Sequence, residues 1–273
     1  MNVLKFFGNS VDHFHFAEAS LRAKYAWIVV VRNEGNTFVN QIKKMSEISS
    51  IDLDIIIVDG ESTDGSVEVA HLNSLGVNSL LVSRAKQGFS HDLQIGLIYA
   101  MRCGYLGVVT VDGNGKDSLE SVNQFKLALD QGFDFIQGSR FKKGGGHENT
   151  PLLRLFGIRF LAAPITSFFS RQRITDPTNG FRGYSRKLLL NPKLGLGSNL
   201  YLGYNLVSYI PICAGKEKLR IKEVPVFRKY PHFGKIPTKI VSPIQWLQIF
   251  FDLFRSGFGR FEEYPSNLSE QLI

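Results

Sequence analysis

The sequence predicts an α/β fold, a mostly parallel central sheet flanked by helices, from three observations. Short apolar runs rich in β-branched residues recur without polar alternation, as in strands buried on both faces. Stretches with helical spacing separate these runs, the alternation expected of βαβ units. Polar residues cluster where the runs end, at the carboxyl edge where such sheets bind ligands.

YAWIVVV (25–31) is the first buried strand, and NEGNTFVNQIKKM (33–45) follows with Phe38, Ile42 and Met45 at helical spacing. DIIIVDG (54–60) is the second strand, and ESTDGS leads into a helix from Val67. SLLVSR (79–84), a helix over 89–103 and LGVVTV (106–111) repeat the unit, and a helix near 118–130 enters the strand FDFIQGS (133–139). KKGGG (142–146) reads as a flexible loop, and 151–169 as an apolar, aromatic helix carrying Arg154 and Arg159. RQRITDPTNGFRGYSR (171–186) is dense and polar and ends in a short strand; a helix near 198–209 and a strand ending in VPVF (224–227) follow. From 242 to 261, Trp246, Leu247, Phe250, Phe251 and Phe254 are interrupted by Gln248, Asp252 and Arg255. That segment either lies at a membrane interface or packs on the protein itself. The chain therefore divides into an N-terminal extension (1–24), a main domain (25–240) and a C-terminal amphipathic helix and tail (241–273).

Bulk composition narrows the function classes. With 273 residues the chain can bury a sizeable core, and 44% hydrophobic with 21% charged residues suits a globular protein. Its 22 phenylalanines mean either extra apolar surface for a lipid or partner, or a Phe-rich core. The formal net charge of +8 favours anionic substrates or anionic lipid surfaces. No zinc-finger or RNP-like signature accompanies it, so nucleic acid is not an expected partner; nothing speaks to oligomeric state. Cys103 and Cys213 give no disulfide framework and fit a reducing compartment. Asp12 and the neighbouring histidines break the clean apolar stretch of a signal peptide, and no apolar run reaches the roughly 18–20 residues that span a bilayer. The expected location is cytoplasmic, with peripheral contact at the inner face of the membrane.

The strand exits carry the informative residues: Asn33 and Glu34, Asp59, Arg84 and Lys86, Asp112, and Arg140. TVDGNGKD (110–117) asks most directly for an explanation. Turns look like this, and so do places that hold a metal and a diphosphate.

VVVRNEGNTF (29–38), IIIVDGESTDGS (55–66), VVTVDGNGKD (108–117), FIQGSRFKKGG (135–145) and ITDPTNGFRGYSRKLL (174–189) occur in an order and at a spacing that resemble family 2 glycosyltransferases of the GT-A fold. The branch most similar is that of dolichyl- or polyprenyl-phosphate sugar transferases, over about residues 25–240. The resemblance implies a nucleotide-diphospho-sugar donor and a divalent cation, Mg²⁺ or Mn²⁺, held by Asp112 and Asn114. Here Asn114 stands where the family has a second aspartate, which removes a charge from the metal site. Lys116 either faces the diphosphate or is solvated. Asn33, Glu34, Asp59, Arg84, Lys86 and Arg140 are the further candidates for the donor pocket. Gly60 stands where relatives carry a base-pairing aspartate, so the nucleobase does not carry over. Asp64, in STDG, reads as a cap for the following helix.

Inverting displacement at the anomeric carbon is the chemistry implied, with Asp112, Asp176 and Arg182 the candidate catalytic residues. A hydroxyl acceptor needs a general base, whereas a lipid phosphate is already anionic at pH 7. No Asp or Glu lies between Asp176 and Glu217, while the region displays Arg171, Arg173, Arg182 and Arg186. These arginines, with Arg140 and either Arg154 or Arg159, favour a polyprenyl-phosphate acceptor. Asp176 is the one local candidate for a base, or a partner for Arg182. The alternatives are transfer to a saccharide hydroxyl in surface-glycan synthesis, nucleotidyl transfer on a related fold, and a non-catalytic sugar-nucleotide-binding protein. KKGGGHEN (142–149) reads as a loop able to close over the donor, and Lys235 and Lys239 in the basic segment 227–240 as contacts for phosphate or headgroups.

Overall fold

The computed structural model describes residues 2–6, 9–16, 23–48, 52–85, 87–198, 201, 203–231 and 251–259. Its central feature is a nine-stranded sheet. β3 (Tyr25–Val31) and β4 (Leu53–Asp59) sit inside it, and nearly every residue of both is buried. Continuous apolar runs are what two covered faces require. β5 (Ser79–Ser83) and β6 (Gly107–Asp112) flank them, giving the all-parallel run β5-β4-β3-β6.

Helices cover both faces. α1 (Gly35–Ile48) buries Phe38, Gln41, Ile42 and Met45 on the face that also receives α4 (Val122–Asp130). α2 (Val69–Ser74) is short. α3 (Phe89–Arg102) is buried along almost its whole length on the opposite face.

The expectation of a mostly parallel sheet is corrected to a mixed one. β7 (Phe135–Ser139) does not pair with β6; β9 (Arg182–Ser185) runs between them, antiparallel to both. The chain enters β9 from a turn at the carboxyl edge, so the strand has to run back against its neighbours. β10 (Ile221–Pro225) then adds parallel to β7. At the far edge β1 (Asn2–Phe6) and β2 (Asn9–His15) form a hairpin antiparallel to β5, so residues read as an extension complete the sheet.

Beyond β7 the loop read as a lid carries β8 (Gly146–Glu148), which pairs in parallel with β11 (Phe227–Lys229). The helix expected over 151–169 is α5 (Leu152–Gly157), a π-turn over 158–162 and α6 (Ala163–Ser170). As one unit, Leu152–Ser170 is 19 residues and contains an 18-residue stretch of mean hydropathy 1.5, long and apolar enough to cross a membrane by length and composition alone. That corrects the expectation that no segment reaches this length; the helix also carries Arg154 and Arg159. α7 (Arg186–Leu189) follows β9.

α8 (Asn205–Lys216) lies later than the helix expected near 198–209 and runs straight through Pro211. Of the amphipathic C-terminal segment, 251–257 is helical and the rest lies outside the described residues. Phe169 of α6 packs edge-on against Phe254 and Phe258, at 6.2 and 5.4 Å between ring centroids, so this helix lies on α6.

The hairpin is fastened by a chain of hydrogen bonds: His13 Nε2 to the Tyr99 hydroxyl, Tyr99 to the Ser79 hydroxyl and Ser79 to His15 Nδ1, each 2.9 Å. Burial, with His15 adding to it, holds the His13 pKa below its usual 6.5. The unfolded chain therefore takes up a proton at His13 more readily than the folded one. The stability from keeping this ring neutral is complete above about pH 6.5 and is lost as the pH falls from there through the lower folded value. Thermal unfolding followed from pH 7.5 to 5 should show a decline in Tm that is shallower in His13→Asn; equal slopes would remove His13 from the acid response.

Candidate active site

A cavity of about 390 Å³ opens at the carboxyl edge of the sheet, an ordinary size for a small-molecule site. Asp112, the last residue of β6, projects into it with 23% of its side chain exposed. Arg228 of β11 lies between two carboxylates, its Nη2 donating to Asp112 Oδ2 at 2.7 Å and its Nη1 to Asp117 Oδ2 at 2.9 Å. Burial works against the charge on Arg228, but Asp117 and Asp112 outweigh it and raise its pKa. Burial likewise opposes ionisation of Asp112, and Arg228 reverses that to hold its carboxyl below the usual range. Burial prevails at Asp117, whose pKa is raised.

Lys116 is buried in the same wall, and burial together with Arg228 brings its pKa down to about 8. Lys116 Nζ, Arg154 Cζ and Arg228 Cζ stand 5.1, 5.8 and 5.9 Å from the centre of the Tyr230 ring. Three cations gathered around one buried aromatic ring, all lining one cavity, make that end of it electropositive.

The loop after β6 is set from below by α1. Gln41 donates from Nε2 to the Asp112 carbonyl at 2.9 Å and accepts the Gly115 N–H at 2.7 Å. Gly115 has φ +66°, and a Cβ there would meet Thr37 Cγ2 at 2.6 Å, so this turn requires glycine.

Residues 177–180 also line the cavity, and buried polar contacts hold this turn in place. Asp176, fully buried, forms a bidentate pair with Arg140, Nε to Oδ2 and Nη2 to Oδ1, each 2.7 Å. Arg182 donates to the carbonyls of Asn179 (3.0 Å), Pro177 and Val207 (2.6 Å). Val207 lies four residues before Pro211, which has no N–H to offer it. Arg182 thus satisfies the carbonyl that the proline frees and lets α8 continue.

Residues 26–191, more than half of the chain, match the family described as Glycosyl transferase family 2. The chain belongs to that family. It is 28% identical over 175 residues to polyprenol monophosphomannose synthase of Mycolicibacterium smegmatis, covering 63% of this chain and 65% of that protein. It is 28% identical over 214 residues to dolichol-phosphate mannosyltransferase of Mycosarcoma maydis, covering 76% and 68%. The chain thus spans about two thirds of the length of these curated relatives. Among solved structures it is similar in fold to glucosyl-3-phosphoglycerate synthase from Mycobacterium tuberculosis, with TM-score 0.61, 15% identity, and 88% and 80% of the two chains covered. The fold is the GT-A-like α/β arrangement, built on a mixed sheet.

Within this family-2 fold, Glu34, Asp112, Asn114, Lys116, Arg140 and Arg182 of the expected site line the cavity. Four others do not, and each has local work instead. Asn33 accepts the Thr63 N–H and donates its own N–H to Ser62, tying two strand exits together. Asp59 is buried and bonded to Ser62 through both its N–H and hydroxyl; burial raises its pKa. Arg84 pairs at 2.6 Å with Asp12 of the hairpin, on the surface. Asp176 is taken by Arg140 rather than Arg182, which gives a general base no free carboxylate at that position. Lys86, Lys235 and Lys239 lie outside the described residues.

Two further expectations change. Asp64 caps α1, accepting the Gly35 N–H at 2.8 Å, and not the helix that follows it. Arg182 and Arg186 serve backbone carbonyls, Arg186 those of Met101 and Tyr105, so they form no phosphate-reading surface. The cations that meet at the cavity are Lys116, Arg154 and Arg228. Arg228 was missed although it lies in the basic segment 227–240; its pairing with Asp117 depends on a strand contact remote in sequence.

Asp176→Asn should cost about 3–5 kcal/mol, the usual effect of breaking one half of a buried ion pair. Urea unfolding measures this. Loss of turnover with unchanged stability would instead return Asp176 to a chemical role.

Proposed function

We propose that this family-2 protein transfers a sugar from a nucleotide-diphospho-sugar to a polyprenyl-phosphate-type lipid. The observation that carries the reading is the meeting of two surfaces in one cavity. Its cationic end, Lys116, Arg154 and Arg228, adjoins Ala162 and Leu253 from the two packed C-terminal-half helices. Those helices expose Leu152, Leu153, Phe156, Phe160, Phe168, Phe251 and Phe258. An amphiphile with a phosphate head and a hydrocarbon tail matches that combination, and the same face suits peripheral contact with an anionic membrane. The names of the Mycolicibacterium and Mycosarcoma relatives support the same acceptor class.

Among the described residues no three His, Cys, Asp or Glu side chains form a metal cluster. Asp112 and the amide oxygen of Asn114 are hard oxygen donors, and they fit a divalent cation whose remaining ligands are donor phosphates. Such a cation would neutralise charge on the leaving diphosphate.

The chain's own residues account for the rest. The acceptor phosphate oxygen forms a bond to the anomeric carbon as the bond from that carbon to the diphosphate oxygen breaks, with inversion, and its electron pair leaves on the nucleoside diphosphate. No proton has to be removed from a phosphate with a second pKa near 6. Lys116 and Arg228 neutralise the donor diphosphate, and Arg154 orients the acceptor phosphate from the helical side. Transfer to a saccharide hydroxyl, the second reading, would need a base. Besides Asp112, the carboxylates lining the cavity are Glu34 and Asp92, both on the β3–β4 side and away from the cations.

Incubation with labelled nucleotide sugars, Mn²⁺ and dolichyl or undecaprenyl phosphate should move label into the organic phase. Label appearing only in a water-soluble saccharide would support the second reading instead. Asp112→Ala should lower turnover about 100-fold or more without loss of fold; unchanged turnover would exclude it from the reaction. By calorimetry, Mn²⁺ should bind weakly alone and more tightly with nucleoside diphosphate, and Asn114→Asp should strengthen binding in both cases.

A further inference from the structure

We propose that Asp92 reads the nucleobase in this site and that its carboxylate selects a guanine nucleoside diphosphate; the inference rests on the donor reading above. Asp92 lies in the first turn of α3 and lines the cavity. Its residue is 8% exposed, yet among the described residues its carboxylate accepts no hydrogen bond. His91 Nδ1 stands 3.7 Å from Oδ1, and the Arg32 side chain packs beside Gly60 at the same end of the cavity. A carboxylate buried at that level costs free energy unless N–H groups meet it, and here the cavity is where they can come from.

The sheet fixes which part of a donor arrives there. Asp92 stands over the exit of β4, beside Gly60, whereas Asp112 ends β6, and β3 lies between the two strands. Two inter-strand steps separate them by about 10 Å, roughly the reach of a nucleoside. The cations at the Asp112 end take the phosphates, so the base lies at the other end. A Cβ on Gly60 would fall 2.9 Å from Asp92 Oδ2, so the glycine leaves room for this carboxylate in the very place where a larger residue would stand.

The chemistry of the group then chooses among bases. An ionised carboxylate offers two acceptors side by side and no donor. Guanine presents two adjacent donors, N1–H and the 2-amino group. Uracil presents one N–H between two carbonyls, while adenine and cytosine place a ring acceptor beside their amino group; each of these sets a lone pair against a carboxylate oxygen. Asp92 is carried on a long buried helix, which holds it in register for a bidentate contact.

Calorimetry on the full chain with Mn²⁺ tests this. GDP should bind at least tenfold more tightly than UDP, ADP, CDP or inosine diphosphate, which lacks only the 2-amino group. Asp92→Asn should lose GDP affinity about tenfold and gain affinity for xanthosine diphosphate, whose 2-carbonyl accepts from the new amide; that gain also reports a folded variant. Equal binding of all bases by the wild type, or an unchanged GDP preference in Asp92→Asn, overturns the assignment while leaving the donor reading in place. If no nucleoside diphosphate binds, both fall together. Should the variant not fold, the wild-type comparison of GDP with inosine diphosphate decides alone.

Discussion

A guanidinium buried between two carboxylates joins the end of β6 to β11. Arg228 touches Asp112 on its cavity side and Asp117 on its core side, and the cationic end of the cavity is arranged around that bridge. Removing Asp117 or Arg228 would leave a buried charge with nothing to answer it, whereas Asp112, partly exposed at the cavity, can be removed while Arg228 stays paired with Asp117. The arrangement also sets the local electrostatics. Arg228 holds Asp112 ionised and, with burial, lowers the affinity of Lys116 for its proton. On the proposed reading, an incoming cation and diphosphate would enter a balanced site, the cation drawing on Asp112 as the phosphates draw on Arg228.

The wall opposite is built on a different plan. In residues 176–182 the charged side chains are engaged with internal partners, although Arg182 also lines the cavity. Asp176 closes on Arg140, Gln137 donates to the Asn179 carbonyl at 3.1 Å, and Thr110 donates to the Gly180 carbonyl at 3.0 Å. Arg182 reaches past the turn to the carbonyl exposed by Pro211. The contacts from Gln137, Thr110 and Arg182 each satisfy a backbone carbonyl that would otherwise be costly to bury. The density of polar residues in DPTNGFR therefore serves rigidity: the turn has few ways to move.

Periodicity made the strands and most helices legible. YAWIVVV and DIIIVDG could only be buried strands, and Phe38, Ile42 and Met45 marked the inner face of α1. Sheet order was less accessible, because the antiparallel insertion of β9 is decided by where a turn sits in space and leaves no trace in hydrophobic pattern. α8 was placed too early, since a proline usually ends a helix and the arginine that compensates for it is remote in sequence. The candidate site divides along the same line. Asp112, Asn114 and Lys116 are contiguous and were legible as a group. Arg228 and Asp92 come from elements far away, and residue type alone does not separate an arginine that faces a cavity from Arg182 or Arg186, which face carbonyls.

The cavity is graded along the sheet, and that gradient bears on chemistry. Carboxylates from the β3 exit and from α3 line one end, Asp112 and its cations stand beyond them, and apolar helices bearing exposed aromatics close the far side. A nucleotide-linked sugar has a matching order, with N–H donors on its base, charge on its phosphates and the reactive carbon beyond. If the donor lies in that direction, its anomeric carbon points toward the helical side, where an acceptor has to approach. A lipid phosphate arriving there needs neutralisation and desolvation, both of which buried cations beside apolar walls supply. A sugar hydroxyl arriving there needs a proton acceptor, and the one carboxylate that sequence pattern offered for the task, Asp176, is occupied by Arg140. On the proposed reading, acceptor choice follows from which charges the core has already used.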